Sequence, residues 1–134
     1  IHDAARPIVY QDIIDDLIEK AKANGNACSA VSCYETVVLT ENRTSGKEQI
    51  DRNRIVRVQT PQCYNYGLIK SLYEKADKDN REDFVYANIL AMNYGVEIYF
   101  SKGTNNNIKI TTKDDIALFR ALLYYINNAE GEEN

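Results

Sequence analysis

Apolar residues at Ile13, Ile14, Leu17, Ile18 and Ala21 recur at the spacing of one face of an α-helix. Asp12 stands where a side-chain cap would start that helix. Asn24-Gly25-Asn26 ends it, since Gly and Asn accept the left-handed backbone that closes helix C-termini. The small apolar run Cys28 to Ser32 predicts a short buried strand, and the β-branched run Thr36 to Thr40 another, closed by a polar turn from Glu41 to Lys47. Arg54 to Val58 alternates basic and apolar residues, the period of a strand with one wet face. After Thr60-Pro61, the positions Tyr66, Ile69, Leu72, Tyr73 and Ala76 mark a second helix, followed by a charged loop from Lys75 to Glu82. Phe84 to Met92 predicts a third helix, stopped by Asn93-Tyr94-Gly95. Val96 to Phe100 and Ile108 to Thr111 predict strands on either side of a Gly/Asn turn at Lys102 to Asn107. Thr112 then caps a last helix with Asp115 three residues on, an acidic form of the capping box. Its buried face is Ile116, Phe119, Leu122, Leu123 and Ile126, and the acidic tail beyond Asn128 is expected to fray. Helices alternating with short strands predict an α/β sandwich.

Composition narrows the class. A chain of 134 residues with 44% hydrophobic and 27% charged residues fits one folded domain. A net charge of −4 and a pI near 5.0 argue against a general nucleic-acid or membrane-surface role, which needs a concentrated basic patch. No apolar run approaches the roughly 20 residues that span a bilayer, and Ile1-His2-Asp3 does not read as a signal peptide. The three cysteines, Cys28, Cys33 and Cys63, are an odd set without CxxC spacing, which points to a reducing cytoplasm and to small buried side chains rather than nucleophiles. A single histidine, His2, leaves no pattern for structural zinc. In an α/β protein, catalytic loops follow the carboxyl ends of strands. Ile1-His2-Asp3 reads as the last turn of a strand whose body is absent, so the chain is expected to be a fragment.

Several short motifs carry candidate chemistry. In His2-Asp3-Ala4-Ala5-Arg6-Pro7 a carboxylate at a strand end is suited to Mg²⁺, with an arginine three residues on to pair with it or meet a phosphate. A surface turn closed by an Asp–Arg ion pair is the more ordinary outcome. Asp51-Arg52-Asn53 offers a guanidinium fork for phosphate held by a carboxylate, and equally a solvated charged turn. Gln59-Thr60-Pro61-Gln62, which follows as part of the same candidate, is equally a turn whose amides bond local backbone. In Asn106-Asn107-Ile108-Lys109-Ile110-Thr111-Thr112 a strand lysine near a helix start suits an anion, or simply holds its ammonium in solvent. Asp114-Asp115 belongs to helix capping rather than to a metal pair.

Taken in order, HDAARP, the Glu-Thr at residue 36, IDRN, QTPQ with an aromatic after it, and NIKITT followed by Asp-Asp-Ile resemble the C-terminal half of one family. It is the family of cytidylyltransferases acting on 2-C-methyl-D-erythritol 4-phosphate, with close relatives acting on ribitol 5-phosphate. The resemblance runs from Ile1 to about Leu123. It implies part of a Rossmann-like α/β nucleotidyltransferase sandwich over residues 1–128, with a β-arm at about 32–58 that projects toward a partner in a homodimer, and an acidic tail at 129–134. The implied reaction is attack of the polyol phosphate oxygen on the α-phosphorus of CTP, releasing pyrophosphate with Mg²⁺ as cofactor. By motif, Asp3 is the implied metal-binding and catalytic carboxylate, and Ala4 lies beside the nucleotide. Arg6 is a supporting arginine, Lys109 grips the phosphate within its own subunit, and Thr36 and Arg52 are arm residues that reach the partner's polyol phosphate.

Two departures qualify the match. The Gly-rich triphosphate loop with its arginine and lysine does not occur in these 134 residues, so the chain alone is expected to bind CTP poorly and to turn over little. Where methylerythritol enzymes show Thr-Asp-Glu-Ala before the third helix, this sequence reads Val85-Tyr86-Ala87-Asn88, which opens the identity of the polyol. The resemblance therefore implies a methylerythritol phosphate enzyme of isoprenoid precursor synthesis. The alternatives are a ribitol phosphate enzyme of surface-polysaccharide synthesis, or a non-catalytic dimerisation and phosphate-binding fragment.

Overall fold

In the computed structural model the described residues are 1–81 and 86–129. Helix α1, Gln11–Asn24, buries Ile13, Leu17 and Ala21 and ends at Gly25, whose φ of 86° is the left-handed closure the sequence calls for. Its start differs from expectation. The helix begins two residues earlier, after an extended Tyr10 that makes no side-chain cap, and the Asp12 carboxylate is engaged by the Lys102 ammonium instead.

Strand β1, Asn26–Ser32, is the middle of a three-stranded sheet. It pairs antiparallel with β4, Val56–Tyr64, and parallel with β5, Phe100–Lys102. Two short strands, β2 (Val37–Leu39) and β3 (Glu48–Ile50), form a separate hairpin between β1 and β4. A single 3₁₀ turn, Arg52–Arg54, leads from the hairpin into β4. Period-two alternation sends Ala27 and its cross-strand partner Cys63 toward α1, where they pack with Leu17 and Ala21. Cys28, Gln62 and Tyr64 therefore face the other layer. That layer is α2, Tyr66–Lys78, and α3, Ala87–Asn93, whose Leu72, Ala76, Leu90 and Ala91 form a second core with Val96 and Ile98 beside it.

β4 is longer than Arg54 to Val58: it starts at Val56 and continues through the cis Thr60-Pro61 bond. Cys28 pairs with Gln62 and Ala30 with Val58, so one residue of β1 faces three of β4. This bulge gives Pro61, which has no N–H to offer, a place in the strand. Other differences have equally local causes. α2 runs on to Lys78 through its charged residues because they lie on its wet face, where Lys70 pairs with Glu74 and the Lys75 ammonium sits 4.7 Å from the Tyr94 ring centre. β3 is polar and is held by pairing with β2, so no hydrophobic pattern announces it. In the predicted strand at 96–100 only Phe100 is laddered, because Val96 and Ile98 serve the helical core instead. Residues 108–111 are not a strand, and the Ile110 N–H bonds a single carbonyl, that of Ala5. Phe84 and Val85 of the predicted third helix, and residues 130–134 of the predicted tail, lie outside the described residues.

Helix α4, Lys113–Ala129, starts with the anticipated reciprocal cap. Thr112 Oγ1 accepts the Asp115 N–H at 3.3 Å, and Asp115 Oδ2 accepts the Thr112 N–H at 2.7 Å. Its expected buried face is only partly covered: Phe119, Leu122 and Ile126 are half-buried, whereas Ile116 is 42% and Leu123 37% exposed.

Two outcomes follow from this packing. Leu90, fully buried in the cluster that α3 forms with Leu72 and Ala76 of α2, leaves a cavity in Leu90→Ala, and urea unfolding should read a loss of about 2–5 kcal/mol. Donation from the Thr111 N–H, the Thr112 hydroxyl and the Thr112 N–H holds the Asp115 carboxyl down at about 2. The cap is thus complete above the ordinary value of 3.8 and is lost as pH falls toward 2. A carboxyl titration followed by NMR should find that midpoint, and one near 3.8 would remove the cap.

Candidate active site

The bulge in β4 turns Gln59, Thr60 and Gln62 toward a cleft of about 200 Å³. Its walls also include Asp3 and Arg6 from the N-terminal turn, Tyr86 and Asn88 from the start of α3, and Lys109. Hydrogen bonds explain why segments so distant in sequence meet. Ile1 lies on the free edge of β4, exchanging bonds of 2.8 Å with Gln62 in both directions. The Asp3 N–H donates to Thr60 Oγ1 at 2.9 Å, and Thr60 Oγ1 lies 2.9 Å from His2 Nδ1. His2 Nε2 lies 2.9 Å from the Arg6 carbonyl. The neutral tautomer with its proton on Nε2 satisfies all three contacts, so His2 is a brace for the turn.

The 107–110 segment is attached by Asn107, fully buried, whose Nδ2 donates to the Thr60 carbonyl at 2.7 Å. Arg6 Nη1 donates to the Asn107 carbonyl at 2.7 Å. Lys109 thereby arrives at Asp3: its Nζ lies 3.1 Å from Asp3 Oδ2, the same oxygen that accepts Arg6 Nε at 3.3 Å. Partial burial pushes the Asp3 carboxyl up, but Lys109 and Arg6 outweigh it and hold the group below 3.8. Lys109 Nζ also sits 5.5 Å from the centre of the Tyr86 ring, a cation–π contact that forms the opposite wall.

The structure brings together Asp3, Arg6 and Lys109 of the sequence-derived set. Ala4 is exposed on the same turn and does not line the cleft. Thr36 and Arg52 do not line it either: they belong to the hairpin segment, where Arg52 Nη1 donates to the Tyr34 carbonyl at 3.1 Å. A larger cleft of about 350 Å³ lies under the hairpin turn between Leu39 and Glu48, without convergent cations. Thr60 and Gln62, which the sequence leaves open between a site segment and an ordinary turn, are walls of the site, and so are Tyr86 and Asn88. The only sequence signal for the latter pair is that they fall in the segment departing from the family pattern.

The donor set bears on metal binding. Among the described residues no group of three or more His, Cys, Asp or Glu side chains converges, so an all-protein metal cage is absent there. Asp3 engages both cations through Oδ2, and a lone carboxylate oxygen suits Mg²⁺, which takes one or two carboxylates and completes its shell with phosphate oxygens and water.

Comparison with known proteins agrees with this arrangement. The family model described as "IspD: 2-C-methyl-D-erythritol 4-phosphate cytidylyltransferase" matches residues 1–125. A ribitol-5-phosphate cytidylyltransferase of Lacticaseibacillus paracasei is 38% identical over 125 residues, covering 92% of this chain and 53% of that protein. A 2-C-methyl-D-erythritol 4-phosphate cytidylyltransferase of Clostridium novyi is 37% identical over 123 residues, with the same coverage of 92% and 53%. The chain thus spans about half the length of these curated relatives. Among solved structures, the 2-C-methyl-D-erythritol 4-phosphate cytidylyltransferase of Thermus thermophilus superposes with a TM-score of 0.81 at 26% identity, over 92% of this chain and 60% of that one. The Francisella tularensis enzyme of the same name gives 0.79 at 30% identity, over 90% and 57%. The α/β sheet, the charged cleft at its edge and a family match across nearly the whole chain lead to one assignment: this chain belongs to the 2-C-methyl-D-erythritol 4-phosphate cytidylyltransferase family.

Proposed function

We propose that this chain is the second half of a cytidylyltransferase that moves CMP from CTP to a polyol phosphate and releases pyrophosphate. The observation that carries the reading is the convergence of Lys109 and Arg6 on Asp3 in one cleft. The reaction needs no protein nucleophile: a phosphate oxygen of the polyol phosphate bonds to the α-phosphorus of CTP, and the bond to the bridging oxygen breaks. What the protein supplies is alignment and compensation of negative charge.

Each residue has a part that its geometry permits. Lys109 exchanges the Asp3 carboxylate for the incoming phosphate, a short movement of an ammonium already at the cleft. Arg6, tied to the Asn107 carbonyl, keeps Asp3 in place while Lys109 leaves. Asp3 is the residue that would hold Mg²⁺, and the ion would supply compensation of triphosphate charge. Ala4 lies beside the nucleotide. Thr36 and Arg52 reach the polyol phosphate of a second copy through the hairpin, making the working form a homodimer. The exposed apolar side chains Tyr34, Val38 and Leu39 on that arm support a surface that is covered in the dimer. Unbridged Cys28, Cys33 and Cys63 support a cytoplasmic setting. No helix among the described residues is long and apolar enough to cross a membrane.

The test uses the complete polypeptide carrying this segment, with CTP, Mg²⁺ and either 2-C-methyl-D-erythritol 4-phosphate or ribitol 5-phosphate. Pyrophosphate release is expected, with Lys109→Met and Asp3→Asn each lowering kcat/KM by about 100-fold or more. No release with either polyol phosphate would leave only a dimerising, phosphate-binding module. The arm has its own test. Mixing Arg52→Ala with Lys109→Met should restore up to about a quarter of wild-type turnover, because half of the subunits pair as heterodimers with one intact site. Mixtures as inactive as their components would place Arg52 outside the partner's site.

A further inference from the structure

A run of polar side chains crosses the inner face of the sheet and ends in the cleft. The Tyr64 hydroxyl lies 3.4 Å from Cys28 Sγ and donates to Gln62 Oε1 at 2.7 Å. Gln62 Nε2 donates to Asn88 Oδ1 at 3.4 Å. Burial pushes the Tyr64 phenol well above its ordinary value, so it keeps its proton and remains a donor. Its proton goes to Gln62 Oε1, with the Cys28 thiol on the other side of the phenol oxygen. In this arrangement Gln62 turns its oxygen to Tyr64 and its nitrogen to Asn88, and Asn88 turns its oxygen to Gln62. Asn88 is only 7% exposed, lines the cleft together with Asp3 and Lys109, and its Nδ2 has no partner among the described residues.

From this ordering we infer that Asn88 is a specificity-determining residue: a donor-only amide that selects a polyol phosphate bearing a hydroxyl, rather than a methyl branch, at the position it meets. The inference rests on the cytidylyltransferase reading above and sharpens it toward an unbranched polyol such as ribitol 5-phosphate. A hydroxyl oxygen accepts the Nδ2 proton, whereas a methyl group covers the amide and leaves a buried donor unpaired. Sites built to bond a hydroxyl reject analogues lacking it more strongly than apolar pockets reject an added group. Tyr86 and Ile89 line the cleft on either side of Asn88 in sequence, leaving the amide as the polar feature that α3 presents.

The experiment measures kcat/KM of the complete protein for ribitol 5-phosphate and for 2-C-methyl-D-erythritol 4-phosphate, at saturating CTP. The wild type should prefer ribitol 5-phosphate. Asn88→Ala, which deletes the donor, and Asn88→Asp, which keeps an oxygen for Gln62 but offers none of the donor's protons, should each reduce that preference about tenfold. The change should enter through KM for ribitol 5-phosphate. Asn88→Asp preserves the shape of the side chain, so it carries the test if Asn88→Ala unfolds. A wild type that prefers the branched polyol, an unchanged ratio in either folded variant, or equal losses on both polyols would overturn the role of Asn88 while leaving the cytidylyltransferase reading intact. Absence of turnover on any polyol phosphate by the wild type would overturn both.

Discussion

The break in register between β1 and β4 is the constraint on which the site depends. With Ala30 opposite Val58 and Cys28 opposite Gln62, the segment between has more chain than its partner strand can pair. Its surplus must leave the ladder. Gln59 and Thr60 then need partners for polar groups that stay buried, and they find them outside the sheet: Asn107 takes the Thr60 carbonyl, the Thr104 carbonyl takes Gln59 Nε2, and the Thr60 hydroxyl takes the Asp3 N–H. Satisfying a bulge is thus what draws the N-terminal turn and the 107–110 segment together. The cleft is the space left between the groups so gathered.

That construction also sets the electrostatics. Asp3 lies at an edge where burial alone would favour its neutral form, and it stays ionised because two cations share one of its oxygens. The two are held differently. Arg6 is fastened at its other end to a backbone carbonyl, whereas Lys109 has Asp3 and the face of Tyr86. A guanidinium with two fixed partners is a strut. An ammonium on a flexible stem, between a carboxylate and a ring, is displaceable by a better anion at little structural cost. The division of labour between Arg6 and Lys109 therefore follows from side-chain chemistry and attachment rather than from charge, which they share.

Much of this was legible in the sequence where local chemistry decides. The helical spacing of Leu17 and Ala21, the Gly25 stop and the Thr112–Asp115 cap depend on a few neighbouring residues, and each is found as expected. Motif order likewise pointed to Asp3, Arg6 and Lys109. What failed depends on distant partners. Pro61 inside a strand is admissible only because β4 bulges there against β1, and the polar β3 exists only because β2 lies opposite. Asp12 looks like a cap until Lys102 arrives from β5. The periodicity of α4 foretold an apolar face correctly but carries no information about what covers it, and Ile116 and Leu123 remain open among the described residues.

The same distinction explains why the neutral residues of the cleft were the hardest to find. Asp3 and Lys109 announce themselves by charge, but a neutral amide such as Asn88 is ambiguous in sequence because it is donor and acceptor at once. Only its surroundings remove the ambiguity. Tyr64 donates to the Gln62 oxygen and Gln62 donates to the Asn88 oxygen, which leaves the Asn88 amide nitrogen without a partner among the described residues. Charge in this cleft separates anions from neutral ligands but not one phosphate from another. Finer discrimination falls to oriented neutral groups, and their orientation is a property of the packed sheet rather than of any motif.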